Sequence, residues 1–278
     1  MSMNEAMEKM VDALSESVPK AESEYMGEDG LLHCSVCHRP TEYLACVPAL
    51  NINRKVRCVC DCHKKAEQAY EERFRIEGIE RKRSVCFSES KMWKCTFEND
   101  NRENPKMSDA MKRYADNFEY FLKEGKGLLI YGTVGTGKSY FSACIANALI
   151  DKGYDVVMTN FLKILNELSK KDVDKQKYIE SFNKYPLLIL DDLGAERSSE
   201  YAQEQVYNVI NTRYLAGLPF IITTNLTADE IKKPQEVKYS RIYDRILERC
   251  HPIKMEGISR RREKLKDDFA DTQRLLGL

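Results

Sequence analysis

The run Gly132-Thr-Val-Gly135-Thr-Gly137-Lys138-Ser139 places glycines, a lysine and a hydroxyl at the spacing that holds a phosphate chain. Glycines let successive backbone N–H groups curl toward phosphate oxygens, and a helix beginning beside them adds the positive end of its dipole. Lys138 then reaches the β- and γ-phosphates, and Ser139 ligates Mg²⁺. The nucleotide contacts expected are Gly132, Gly135, Thr136, Gly137, Lys138, Ser139 and Tyr140, with ATP or ADP as ligand. A chance glycine-rich turn would not fill every motif position between an apolar run at 128–131 and a helix-like run at 140–150.

A second set of groups completes the chemistry. The apolar run 187–190 ends in Asp191-Asp192 and reads as a buried strand carrying two carboxylates to its C-terminal edge, where doubly wound sheets bind ligands. Asp191 is expected to hold Mg²⁺ through water, and Asp192 to orient or deprotonate the attacking water. A strand ending in Asp-Asp is by itself more often a turn or a helix cap; the preceding phosphate loop and the following Leu193-Gly194 give it meaning. The strand-like run 220–224 ends in Asn225, whose amide can bond the γ-phosphate or the lytic water. Without the other motifs, Thr-Asn there would read as a turn.

The ten cysteines suggest different chemistry. Cys34-x-x-Cys37 forms a knuckle-like pattern, and Cys58-x-Cys60-x-Cys62-His63 follows it. Alternating cysteines on an extended segment face one side, so two of them can close a tetrahedral Zn²⁺ site with Cys34 and Cys37. The choice among Cys58, Cys60, Cys62 and His63 stays open, with Cys60 and Cys62 preferred. Cys46, Cys86, Cys95, Cys144 and Cys250 are isolated and read as buried small apolar residues, while His33 and His38 read as solvent-facing. The N-terminal sequence lacks a basic start and a continuous apolar core, so a cytoplasmic protein with metal-bound rather than disulfide-bonded cysteines is expected.

The elements that must position these groups alternate as an α/β fold does. Strands are expected at 128–131, 155–159, 187–190 and 220–224, and helices at 140–150, 161–169, 175–182, 200–216 and 240–250. That is a parallel sheet flanked by helices. A helix over 107–123 packs Met111, Tyr114, Phe118 and Phe121 at helical spacing, and Trp93 and Phe97 mark an ordered segment before it. Residues 63–83 form a charged helix whose basic end, Arg81-Lys82-Arg83, is either a nucleic-acid contact or a solvated face. The domains expected are an acidic segment at 1–30, a zinc module at 31–63, a helical linker at 64–104 and an ATPase domain at 105–278.

Charge narrows the partners. The 278 residues carry 44 basic and 44 acidic side chains, which excludes a broad electrostatic grip on nucleic acid and leaves only local clusters. A mean hydropathy of −0.54 fits a soluble globular chain with no membrane association. Arg241, Arg245 and Arg249 form one helical stripe with Asp244 and Glu248 as neighbours; it reads as a site for acidic or phosphate partners or as a surface ion-pair network. Gly257-Ile-Ser259-Arg260-Arg261-Arg262 adds a second basic cluster.

The ordered series GTVGTGKS, LLILDDLGAE, NVINTRY, PFIITTNL, SRIYDRILERC and GISRR resembles the AAA+ ATPases of the DnaC/DnaI-type bacterial helicase-loader family and the related IstB transposition ATPases, over about 125–262. The cysteine module resembles the DnaI-like branch, in which that domain engages the replicative helicase. The resemblance implies that Asn225 is the sensor amide, Arg245 the finger offered to a neighbouring subunit's ATP, and Arg261 the second sensor. Arg241 and Arg260 are near enough in register to exchange those roles. Asp192 stands where many AAA+ proteins carry glutamate, and the shorter carboxylate is compatible with slow, switch-like hydrolysis. The function implied is loading of a hexameric replicative helicase onto single-stranded DNA, with self-association through the ATPase domain. The rivals are an IstB-like transposition regulator, a small-molecule phosphotransferase, and a zinc-based adaptor with an inert ATP site.

Overall fold

The computed structural model describes residues 13, 18, 20, 23–47, 52–195, 199–234, 237–257, 259–260, 269 and 272–276. Most of the acidic segment expected at 1–30, and Arg261, lie outside the described residues. The chain divides into two compact units, Met1–Gly78 and Ile79–Leu278.

The first unit contains two hairpins. Strand β1 (Glu24–Met26) pairs antiparallel with β2 (Leu32–Cys34), and β3 (Glu42–Val47) pairs with β4 (Ile52–Arg57). Arg57 Nη2 donates to both carboxylate oxygens of Glu24, at 2.5 and 2.7 Å, and so ties the hairpins together. Among the described residues of this unit only Cys34, Thr41, Val56 and Cys60 are buried, which is too little apolar surface to hold a fold. Helix α1 (Asp61–Cys86) begins here and crosses the division; it is almost wholly exposed, with pairs such as Arg75–Glu72 at 2.7 Å along its surface.

The second unit is built on five parallel strands, β5 (Gly127–Gly132), β6 (Val156–Asn160), β7 (Leu187–Leu193), β8 (Phe220–Thr224) and β9 (Cys250–Met255), in the order β6-β7-β8-β5-β9. Burial on both faces explains why β7 and β8 are continuous apolar runs. Alternation sends Leu187, Ile189 and Ile221 into one core with Met111, Ile145 and Leu149, and Leu188, Leu190 and Ile222 into another with Ile164, Val206 and Ile246. The first core is covered by α2 (Pro105–Asp116), α3 (Phe118–Glu124) and α4 (Lys138–Asp151). The second is covered by α5 (Phe161–Leu168), α6 (Lys175–Glu180), α7 (Glu200–Leu215), α8 (Ala228–Lys232) and α9 (Val237–Arg249). Strand β8 lies between β7 and β5, so Asn225 leaves the sheet between the carboxylates and the phosphate loop.

Several expectations are revised. The helix expected over 107–123 is two helices, because the backbone leaves helical geometry at Asn117 (φ −103°, ψ 25°), whose N–H and side-chain Nδ2 both donate to Arg113 O, at 3.0 and 2.8 Å. The cysteine segment is not extended throughout: β4 ends at Arg57 and Cys62 sits in the first turn of α1. Cys86, Cys144 and Cys250 are buried, but Cys95 is half-buried and Cys46 is exposed. The basic end of α1 is engaged within the second unit: Lys82 pairs with Asp155 at 2.8 Å and Arg83 with Asp151 at 2.8 Å. Residues from Ile79 onward belong with the second unit rather than to a linker ending at 104, since Trp93 and Phe97 pack on its core and Asn147 Nδ2 bonds Met92 O and Cys95 O. Strand β1, in turn, lies inside the segment expected to precede the zinc module. Among the described residues, no helix is long and apolar enough to cross a membrane.

Candidate functional site

The loop after β5 curls because its glycines take conformations other residues avoid: φ is 136° at Gly132, 85° at Gly135 and 96° at Gly137. Space imposes the same choice, since a Cβ on Gly132 would overlap the Met255 carbonyl and one on Gly135 would overlap Ser259. Thr136 braces the loop through a 2.9 Å bond from its hydroxyl to Thr133 O. Lys138, 7% exposed, donates to Gly132 O at 3.0 Å, Thr133 O at 2.8 Å and Asn225 Oδ1 at 2.7 Å. Its charge is therefore fixed at the mouth of the loop.

The other strand ends meet it there. Asn225 Nδ2 donates to Asp192 Oδ1 at 2.7 Å, so lysine, amide and carboxylate form one chain of hydrogen bonds. Asp191 Oδ1 accepts from Thr223 Oγ1 at 2.6 Å. The β7–β8 register slips between Leu190 and Leu193, and Asp192 takes φ 63°, a left-handed conformation that aspartate tolerates better than most residues. A cleft of about 540 Å³, lined by Gly135, Lys138, Ser139, Asp191, Asp192 and Asn225, lies over these groups, in the size range of small-ligand pockets. Tyr140 lines it too, its hydroxyl donating to Thr96 O at 3.1 Å and its phenol pushed up by burial.

The arginines separate into different places. Arg260 lines the cleft; its backbone N–H donates to Gly135 O at 3.0 Å and its Nε lies 3.2 Å from Glu103. Arg245 is not at this cleft. Its Nε donates to Asn211 Oδ1 at 2.9 Å, and its guanidinium stacks over the Tyr207 ring at 4.9 Å. Arg249 lies 5.0 Å over the Tyr214 ring. The stripe thus leans on aromatic faces of α7, whose spacing at Tyr207, Asn211 and Tyr214 is legible in the sequence as one helical face. Arg241 is exposed and lines a separate cavity with Glu200, Glu204 and Tyr207. Thr223, which joins the Asp191 carboxylate to the Asp192 backbone N–H, carried no motif signal.

In the first unit, Cys34, Cys37, Cys60 and Cys62 bring their sulfurs within 4.8 Å of one another. Zn–S bonds of about 2.3 Å in a tetrahedron need sulfurs about 3.8 Å apart. The Cys34–Cys62 and Cys60–Cys62 distances are 3.4 and 3.1 Å, close to that value. Backbone N–H groups, first of Arg39 and then of Cys62, hold the Cys37 thiol down at about 6, which favours the thiolate a metal needs. Cys34 is lowered in the same way by the N–H groups of Cys37 and Val36, whereas hydrogen bonding to Cys60 and Cys34 pushes Cys62 up to about 12. Cys58 turns away and donates to Pro40 O at 3.5 Å, and His63 is not in the cluster. Four such thiols fit Zn²⁺.

Comparison with known proteins follows the same division. A family model described as IstB-like ATP binding protein matches residues 83–267. The replicative helicase loader DnaI of Bacillus subtilis is 31% identical over 167 residues, covering 56% of this chain and 52% of DnaI. The insertion-sequence ATP-binding protein Rv3427c of Mycobacterium tuberculosis is 29% identical over 174 residues, 61% of this chain and 69% of that protein. A crystal structure of DnaI superposes with a TM-score of 0.54 at 26% identity, covering 65% of this chain and 99% of that one. The chain therefore spans about half the length of the DnaI sequence it matches.

Proposed function

Since the chain belongs to the IstB-like ATP-binding protein family, we propose that it is an AAA+ ATPase that binds a replicative helicase, delivers it to single-stranded DNA and uses ATP hydrolysis to time release. Lys138 presents its charge to phosphates bound in the loop, and Asn225 couples that lysine to Asp192. Asp192 orients the attacking water and receives its proton. Ser139 and Asp191 would hold Mg²⁺, which when bound neutralises charge on the β- and γ-phosphates. Arg260 is the same-chain arginine at the phosphate loop, and Arg245 is the finger offered to a neighbouring subunit, released for that role from its seat on Tyr207 and Asn211. Cys34, Cys37, Cys60 and Cys62 would hold a structural Zn²⁺.

The observation that supports the loader reading is the four-cysteine cluster in the first unit, which precedes the proposed ATPase in sequence, as the resemblance to the DnaI-like branch implies. A transposition regulator is the second reading, favoured by the match to an insertion-sequence ATP-binding protein along 69% of that protein's length. The test is co-purification of the full-length chain with the host's replicative helicase and with a transposase, each with ATP and a single-stranded oligonucleotide. Helicase retained with the wild-type chain and lost with Cys37→Ser supports loading. Capture of the transposase alone replaces it with the transposition reading.

A further inference from the structure

In a regular β7–β8 ladder each residue would face one partner. The pairing instead runs Ile189 with Ile221 and Leu190 with Ile222, then resumes at Leu193 with Thr224. Asp191 and Asp192 together therefore oppose Thr223, which makes the carboxylate pair a β-bulge. A bulge strips backbone groups of their ladder partners, and buried or half-buried groups left that way are costly. Here the Asp192 N–H finds the Thr223 hydroxyl at 2.8 Å. Thr223 is 1% exposed, and its hydroxyl has a single proton. Because its oxygen accepts from Asp192, its proton goes to Asp191 Oδ1 at 2.6 Å.

We infer that Thr223 is a positioning residue for both carboxylates of the nucleotide site, fixing the Asp191 carboxylate by donation and the left-handed backbone of Asp192 by acceptance. One oxygen of Asp191 is thereby committed to the protein, leaving the other to face the cleft. The Asp192 backbone is pinned where its side chain meets Asn225. The neighbouring Thr224 serves as an internal contrast. Its hydroxyl donates to Leu193 O at 2.7 Å and accepts from Leu226 N at 3.1 Å, so it braces backbone alone and touches neither carboxylate. Two adjacent threonines on one strand thus do different work.

The inference rests on the reading of this site as one that hydrolyses Mg-ATP, and the experiment separates the two. Full-length wild type, Thr223→Val, Thr223→Ser and Thr224→Val are compared for binding of a fluorescent ATP analogue, first in EDTA and then across a Mg²⁺ titration, and for steady-state turnover. Thr223→Val keeps volume and loses the hydroxyl. It is expected to bind nucleotide in EDTA as wild type does, to need about 10- to 100-fold more Mg²⁺ for the metal-dependent change, and to lose kcat with little change in KM for ATP. Thr223→Ser restores both properties, and Thr224→Val lowers thermal stability without moving the Mg²⁺ midpoint. If the valine variant does not fold, Thr223→Cys, with a weak donor of similar volume, replaces it under the same expectation. An unchanged Mg²⁺ midpoint in the folded variant, a serine variant as defective as valine, or an equal shift from Thr224→Val overturns the inference. Absence of ATP turnover in the wild-type protein sinks the hydrolysis reading instead.

Discussion

The two units reach order by opposite routes. The second unit, the ATPase unit of the proposed function, buries two apolar clusters on either side of a parallel sheet, and its candidate site sits on strand ends and a loop that the cores already fix. The first unit buries Cys34, Thr41, Val56 and Cys60 and little else among its described residues, so its chemical groups are its core. Cysteine shows the difference best. In the ATPase unit Cys86, Cys144 and Cys250 are packing atoms whose thiols burial pushes up, Cys86 to about 12. In the first unit the sulfurs converge, and backbone N–H groups push Cys37 down to about 6. Cys34 and Cys37 thus shift opposite to the buried thiols of the second unit, because backbone donors surround the former and burial desolvates the latter.

The largest effect that could break this comparison is loss of metal. Apparent Zn²⁺ binding to such sites amounts to about 10–16 kcal/mol, far beyond what so small a core supplies. Cys37→Ser, or a strong chelator, is expected to unfold the first unit and leave the ATPase unit's melting transition in place. Metal analysis should find one zinc per chain in protein prepared without chelators. Zinc-free protein with an intact first unit would remove the distinction.

The reverse experiment strikes the ATPase unit alone. Lys138→Ala removes the charge held at the loop carbonyls and is expected to abolish nucleotide binding or turnover while the zinc content stays at one. Arg245→Ala should retain ATP binding and lose roughly a thousandfold in turnover if its guanidinium acts on a neighbour's γ-phosphate. Mixing Arg245→Ala with Lys138→Ala under assembling conditions should then restore activity above the sum of the two. A melting-temperature loss with normal turnover would make Arg245 a structural partner of Tyr207 and Asn211 only. Recovery with Arg241→Ala in place of Arg245→Ala would move the finger to the exposed arginine. Asp192→Asn should bind ATP and lose about 100- to 10,000-fold in hydrolysis, the range of a positioned acid or base.

Legibility followed the same divide. Asp191, Asp192 and Asn225 could be read from sequence because each follows an apolar run that a buried parallel strand explains, and Lys138 because the glycine spacing before it is that of a phosphate loop. Thr223 was invisible: one threonine in Phe-Ile-Ile-Thr-Thr reads as β-propensity, and only the register slip shows that it stands opposite Asp191 and Asp192, bonding the carboxylate of the first and the backbone N–H of the second. Alternation suggested that Cys58 shares a face with Cys60 and Cys62, yet the end of β4 at Arg57 turns it to Pro40. The break at Asn117 escaped because apolar spacing continued through it, while the backbone turned at a single residue. Partners of the arginine stripe were sought among charges, whereas within this chain Arg245 and Arg249 lie on the rings of Tyr207 and Tyr214, and Arg241 lines a cavity with the acidic Glu200 and Glu204.

The smallest expected effect is the sharpest test of what cysteine does in each unit. Cys86 is 1% exposed within the first core of the ATPase unit, whereas Cys46 is exposed on β3 and donates to Asn53 Oδ1 at 3.1 Å. Deleting one buried sulfur leaves a small void, so Cys86→Ala should cost on the order of 1 kcal/mol and lower the ATPase unit's Tm by about 2–4 °C. Cys46→Ala changes an exposed position and should stay within about 0.5 kcal/mol. Alkylation of the native protein near neutral pH provides the independent reading, since only the thiolate reacts and a thiol pushed to about 12 is almost wholly protonated there. Cys46 should label quickly and Cys86 only when the unit opens. Equal labelling rates under native conditions would mean that the core around Cys86 is open to solvent, and the contrast between a packed unit and a metal-held one would fail at its most ordinary residue.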